Sequence, residues 1–101
     1  MTYDLVWEFE VATDNRAAFE EAYGPQGDWA RLFEGAPGFI EVILLNCSED
    51  PHRYMTIDRW ASAWAFEEFK REFATEYDAL GQRLEAVTSN ETRIGAFERL
   101  D

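Results

Sequence analysis

The sequence is poor in cysteine and in long hydrophobic runs. Its single cysteine, Cys47, cannot form an internal disulfide, and we interpret this as typical of a reducing compartment. No window approaches the roughly 18 apolar residues of a membrane span. The first ten residues, MTYDLVWEFE, have neither a basic start nor an unbroken apolar run, so they do not resemble a signal peptide. These absences predict a cytoplasmic protein.

Basic residues are also scarce. The 101 residues include 9 Lys or Arg against 21 Asp or Glu, which gives a formal net charge of -12 and a pI near 4.3. Nucleic acid is excluded as a partner because binding it requires clustered cations. An anionic membrane surface is excluded for the same reason. A neutral or cationic small molecule, or another protein, suits this charge better.

Histidine is as rare as cysteine, which argues against a metal or a cofactor. The only histidine, His52, follows Pro51 in a segment rich in turn residues. No spacing of His52 and Cys47 matches a structural zinc site, and Cys47 lacks a paired base that would make it a nucleophile. The glycines at positions 24 to 38 lack the spacing of a phosphate-binding loop. We therefore expect no bound cofactor.

Aromatic residues, in contrast, make up 16% of the chain, and they fall into regular patterns. Period-two alternation predicts strands, while apolar residues three and four apart predict helices. Ser62 is a predicted N-cap, and the helix after it carries one continuous aromatic stripe as far as Leu80. The predicted order is strand 3–11, helix 15–23, helix 29–34, strand 39–47, strand 54–60, helix 62–80 and strand 91–100.

This order predicts one domain, residues 1–101, with an α+β ferredoxin-like sandwich fold. Its four-stranded antiparallel sheet would carry the helices on one face. The second strand nevertheless has apolar residues on both of its faces. In a sheet with one face exposed to solvent, apolar and polar residues should alternate along the strand. Because an exposed apolar patch favours association, we predict a two-fold homodimer through the second sheet face. The apolar residues of this second strand are Phe39, Ile43 and Leu45 on one side, and Ile40, Val42 and Leu44 on the other.

Three runs of sequence resemble the antibiotic biosynthesis monooxygenase superfamily over nearly the whole chain. They are GDWARLFEGAPGFIEVILL, RYMTIDRWASAWAFEEF and LEAVTSNETRIGAFE. The most specific part is the junction formed by Asp58, Trp60 and Ser62, which an aromatic helix follows. The resemblance implies a dimeric α+β barrel, in which two ferredoxin-like sheets face each other. It also implies a range of activities, including cofactor-free oxidation of aromatic compounds and opening of haem, so it constrains fold more than chemistry.

Haem chemistry is disfavoured within that range. The haem-opening members of the family carry a histidine on the second long helix and an asparagine on the first strand. This chain has no histidine between Ser62 and Leu80, and its first strand offers Trp7 and Glu8 instead. Without an axial ligand, haem opening is not expected.

The candidate site is an aromatic cavity between sheet and helices, with its mouth near residues 23–33. A cofactor-free oxygenase needs a dry slot for a flat substrate, a base and donors that stabilise an oxyanion. Asp58 and His52 are the candidate bases. The alternatives are that Asp58 forms a salt bridge and that His52 is a solvated loop residue. The candidate substrate-binding residues are Trp7, Trp29, Phe33, Tyr54, Trp64, Phe69 and Tyr77, which could instead be plain core, as is expected of Trp60.

These patterns predict a cofactor-independent monooxygenase acting on a small aromatic or quinol-like compound. The alternative is a non-catalytic dimeric protein that binds a small molecule. It predicts a cavity filled by side chains, or a cavity into which no titratable group projects.

Overall fold

A computed structural model describes residues 1–100 of the chain. Eight regular elements and two short 3₁₀ turns make up the fold. None of the helices in this part of the chain has the length and apolar character that crossing a bilayer would require. In chain order the regular elements and turns are β1 (Tyr3–Glu10), a 3₁₀ turn (Thr13–Asn15), α1 (Arg16–Tyr23), α2 (Asp28–Phe33), β2 (Phe39–Asn46), β3 (Arg53–Trp60), α3 (Ala63–Glu72), α4 (Ala74–Arg83), a 3₁₀ turn (Glu85–Val87) and β4 (Asn90–Glu98).

The four strands form one antiparallel sheet in the order β2-β3-β1-β4. The two central strands pair without a break, from Tyr3 opposite Trp60 to Glu10 opposite Arg53. The buried side chains of the helices pack against one face of this sheet, the face that carries Leu5 of β1. The predicted α+β ferredoxin-like fold is therefore confirmed.

Two apolar clusters fill the layer between the sheet and the helices. One surrounds Trp60, which is fully buried and contacts Phe33 edge to face, with ring centroids 5.3 Å apart. The other surrounds Phe19, which is also fully buried and stacks on Tyr23 at 4.3 Å. Burial of each such ring contributes about 1.5–3 kcal/mol to folding. Trp60 is thus a core residue, as its position in the sequence predicts.

An irregularity in β2 changes which of its side chains face the helices. Phe39 pairs with Trp60 and Glu41 pairs with Arg59, so Ile40 is left out of the register. As a result Phe39 packs against the Trp60 cluster, while Ile40 is 47% exposed. Simple alternation had placed Phe39 on the same side as Ile43 and Leu45. That prediction was wrong because a β-bulge reverses the parity at this point.

The predicted helix from Ser62 to Leu80 is in fact two helices. Ser62 caps α3 as predicted, since its Oγ accepts a hydrogen bond from the Ala65 N–H at 3.1 Å. Helical geometry stops at Phe73, whose φ is -112° and ψ is 26°. The periodic spacing of aromatic residues continues across this break, so the pattern alone predicted one helix. The break directs α4 over the second cluster, where Leu80 is buried.

The close approach of α3 to the start of β2 yields a test of the packing. A Cβ atom on Gly38 would lie 2.2 Å from Ala65 Cβ, a clash that no side-chain rotation relieves. We expect Gly38→Ala to lower the free energy of unfolding by about 1–3 kcal/mol. Gly81→Ala is the matched control, because its Cβ meets only Trp29 Cη2 at 4.0 Å and α4 would gain about 0.5–1 kcal/mol. Urea denaturation measures both, and a Gly38→Ala variant as stable as the parent would contradict this packing.

Candidate active site

A cavity of about 770 Å³ lies between the helix-facing side of the sheet and α4. This volume is within the range of sites that bind drug-sized molecules. Most of the apolar and aromatic residues come from the sheet, α1 and α2, whereas the polar residues come mainly from the region between α4 and the start of β4. The residues that line it are Trp7, Phe9, Tyr23, Trp29, Phe33, Val42, Thr56, Asp58, Tyr77, Asp78, Gly81, Gln82, Leu84, Glu85, Thr88, Ser89, Asn90 and Glu91.

Aromatic rings form one wall of the cavity. Trp29 of α2 is at its centre, with Tyr77 edge to face at a centroid distance of 5.4 Å and Tyr23 at 6.1 Å. Trp7 lines the cavity from β1. Aromatic rings that line a cavity can contact a flat apolar molecule through a face or an edge.

Asp58 is the carboxylate that reaches this cavity from the sheet. Its position on β3 places it opposite Leu5 on one neighbouring strand and Val42 on the other, on the apolar side. Its neighbour Arg59 points to the opposite face, where it binds Asp4 at 3.1 Å. Within residues 1–100 the Asp58 carboxylate therefore meets no cation and no hydrogen-bond donor. Burial alone raises the pKa of Asp58 from 3.8 to about 7.

Tyr23, Tyr77 and Glu91 of the cavity also have their pKa values shifted toward the neutral forms. Burial, aided by the charges of Glu91 and Asp58, raises the pKa of Tyr23 to about 12. Burial and then the nearby Asp58 raise the pKa of Tyr77. Desolvation raises the pKa of Glu91 as well. Both tyrosines thus keep their hydroxyl protons at neutral pH and remain hydrogen-bond donors.

The indole N–H of Trp29 is a further donor. Its Nε1 atom is buried, and among the described residues no acceptor meets it at hydrogen-bonding geometry. The N–H lies close enough to the Tyr23 hydroxyl to oppose the rise in the pKa of that group. A buried donor without a partner costs the folded state about 1–3 kcal/mol.

Five of the nine predicted site residues lie together on this cavity. They come from β1, α2, β3 and α4, so the fold brings together positions 70 residues apart in sequence. The group comprises Trp7, Trp29, Phe33, Asp58 and Tyr77.

The other four predicted residues lie elsewhere. Trp64 is 70% exposed, because it is the second residue of α3 and sits on the helix face away from the sheet. Phe69 is buried in the Trp60 cluster. Tyr54 is buried near α1, where its hydroxyl donates to Glu20. His52 is an exposed turn residue whose Nδ1 lies 3.0 Å from the Val11 carbonyl oxygen, so the loop does not fold over the cavity.

Sequence reasoning missed the polar side of the cavity. Its acidic residues Asp78, Glu85 and Glu91 belong to α4 and the segment after it, whereas the mouth was expected near residues 23–33. Thr56 was also missed, although a signal for it existed. Thr56 and Asp58 are two polar residues between Tyr54 and Trp60 at the helix-facing parity of β3, a pattern typical of a lined cavity.

Comparisons with known proteins agree on one family. Its sequence profile, described as antibiotic biosynthesis monooxygenase, matches residues 3–79. A variant of SnoaB, a cofactor-independent oxygenase from Streptomyces nogalater, has a TM-score of 0.78 at 22% identity, over 99% of this chain and 94% of its own. A candidate antibiotic biosynthesis monooxygenase from Bordetella bronchiseptica has a TM-score of 0.78 at 16% identity, over 98% and 97%. Identities this low establish likeness of fold. No curated protein matches the chain in sequence.

The desolvated carboxylate of the half-buried Asp58 predicts a pH-dependent stability. Unfolded Asp58 loses its proton near pH 3.8 and folded Asp58 near pH 7, so stability falls between about pH 4 and pH 7 and is level above. Asp58→Asn removes this pH-dependent loss of stability, because asparagine carries no charge at either pH. We expect the variant to be about 1–4 kcal/mol more stable than the parent at about pH 8, and equal to it near pH 4. Urea unfolding at both pH values measures the difference, and a difference independent of pH would contradict a desolvated, uncompensated Asp58.

Proposed function

The chain belongs to the antibiotic biosynthesis monooxygenase family, and from this premise we propose that it is a cofactor-independent monooxygenase of a small aromatic or quinol-like compound. The observation that carries the proposal is the uncompensated Asp58 carboxylate inside an aromatic cavity. A general base works best when its pKa lies near the working pH, and that of Asp58 is raised to about 7.

The reaction begins with proton transfer. Asp58 accepts a proton from a substrate C–H or O–H group that conjugation with the ring makes acidic, and the electrons of that bond pass into the ring. The carbanion gives an electron to molecular oxygen, and a C–O bond then forms to yield a peroxide. Loss of the second proton and cleavage of the O–O bond release water. A CH₂ group and O₂ thus become a C=O group and H₂O, with every electron supplied by the substrate.

The aromatic wall would hold the substrate and the donors would stabilise its charge. Trp7 and Trp29 offer ring faces to a flat molecule. The protonated hydroxyls of Tyr23 and Tyr77 can donate to an oxygen on which negative charge develops. Fixed donors in a water-poor site are the usual means by which enzymes stabilise an oxyanion.

Oxygen consumption tests this function. We expect uptake of O₂ with a panel of anthrone and hydroquinone compounds, with a rate that rises with pH through a pKa near 7. Asp58→Asn should lower kcat by about 10²-fold or more because the base is lost. Trp64→Phe is the control and should keep full turnover, since this exposed indole lies outside the cavity. Binding of the compounds without any oxygen uptake would favour the alternative, a non-catalytic binding protein.

We further propose that the chain is a homodimer through the sheet face that the helices leave uncovered. This face carries an apolar centre formed by Val6, Ile43 and Ile57, which are neighbours across three strands. Ion pairs flank this centre: Arg59 with Asp4 and Glu41 toward one end, and Arg53 with Glu8 toward the other. A two-fold axis through the centre would bury the apolar residues of both copies and leave these charges paired.

Light scattering tests the assembly. The parent chain should have twice its 11.8 kDa mass at micromolar concentration. Ile57→Lys should shift it to the mass of one chain, because two unpaired ammonium groups would be buried in the interface. Trp64→Lys is the matched control and should remain a dimer, since Trp64 is an exposed apolar residue on α3. A parent chain that is monomeric under these conditions would refute the proposal.

A further inference from the structure

The cavity is charged with one sign only. Four of its lining residues are acids: Asp58 from the sheet, and Asp78, Glu85 and Glu91 from the side formed by α4 and the start of β4. None of its lining residues in the described part of the chain is Lys, Arg or His. The last three acids are exposed, so they lie where a ligand in the cavity meets solvent.

Nearby cations do not compensate these acids. Arg83 of α4 is paired with Asp28 at 2.7 Å, outside the cavity. Lys70 of α3 lies over the Tyr77 ring at 5.1 Å but does not line the cavity. Arg93 of β4 pairs with Trp7 and so lies on the cavity side of the sheet, where its charge acts to lower the pKa of Tyr77, but it does not line the cavity. An anionic ligand would therefore be repelled, and a cation would be attracted.

The aromatic wall favours the same charge. The faces of Trp7 and Trp29 carry negative electrostatic potential, and cations bind such faces by about 0.5–2 kcal/mol when partly desolvated. A cavity that combines indole faces with carboxylates, and lacks any basic group, is typical of a site for an organic ammonium ion.

The proposed reaction adds a chemical reason. When Asp58 takes a proton from the substrate, it leaves an anion in a cavity that has no basic side chain to balance it. The phenol donors supply only partial charges. A substrate that carries its own cation would supply the missing charge, and would bring it in when it binds.

We propose that the substrate of this cavity is an aromatic compound that carries a protonated alkylamine group. Its flat ring lies between Trp7 and Trp29, next to Asp58, and its ammonium group lies at the acidic side formed by Asp78, Glu85 and Glu91. Aromatic carboxylates are excluded. This inference rests on the proposed function, because it concerns the substrate of that same site, but it can be tested by binding alone.

The test uses three anthracene probes that carry an aminomethyl, a hydroxymethyl or a carboxylate group on the same ring carbon. Their ring system is constant and only the charge changes. Quenching of the cavity tryptophans, measured without oxygen so that no turnover occurs, gives each Kd. We expect the aminomethyl probe to bind at least about tenfold more tightly than the hydroxymethyl probe, and the carboxylate probe to bind most weakly. Equal affinities, a preference for the carboxylate, or no binding of any probe would overturn the inference.

Substitutions of single acidic residues show which of them produce the preference for the cationic probe. Glu91→Gln and Asp78→Asn should each weaken binding of the aminomethyl probe by about threefold or more and leave the Kd of the hydroxymethyl probe unchanged. Glu67→Gln is the matched control, because it removes one negative charge from an exposed position of α3 that does not line the cavity. If Glu67→Gln weakens the cation as much as Glu91→Gln does, the preference comes from the net charge of the chain, and the inference fails.

The inferred preference for cations and the proposed oxygenase function can be refuted independently of each other. Cation preference without oxygen uptake by any amine would refute the proposed function but would leave the cavity an ammonium site. Oxygen uptake with neutral and anionic compounds at rates equal to those with amines would uphold the function and refute the charge selectivity.

Discussion

The pairing of β1 with β3 is the constraint from which the cavity follows. An antiparallel ladder without a bulge assigns every side chain of these strands to one face or the other, and it assigns Asp58 to the face that the helices cover. Arg59, one residue later, falls on the opposite face and pairs with Asp4 and Glu41. The separation of the Asp58 carboxylate from the Arg59 guanidinium is therefore a property of the sheet, and side-chain rotation cannot undo it.

A protein tolerates such a carboxylate only at a cost. Burial shifts the pKa of Asp58 upward, and most of that shift represents free energy that a neutral side chain would not cost the folded state. The core that offsets it is compact for so short a chain, with Trp60 and Phe19 fully buried in separate clusters. Residues that cost stability without compensating contacts are commonly found at functional sites.

Much of this arrangement could be predicted from the sequence. Period-two and helical spacing identified the strands and the order of elements, and the junction at Asp58 and Trp60 identified the family. Three predictions failed for physical reasons that no local pattern reveals. The bulge at Ile40 and the break at Phe73 are backbone events, and the exposed position of Trp64 depends on which side of α3 meets the sheet. Cavity residues distant in the chain, such as Glu91, need the β1–β4 register before their proximity to the site can be seen.

The break at Phe73 also gives α3 and α4 different structural roles. Phe66 and Phe69 of α3 are packed among the rings of the Trp60 cluster, where almost any change of volume is felt. Residues of α4 that border the cavity, including Asp78, Gly81 and Gln82, are exposed and hold little of the core. Mutation can therefore alter the size and polarity of the binding surface in α4 while α3 preserves the scaffold, so this short chain can acquire new ligands over evolutionary time without refolding.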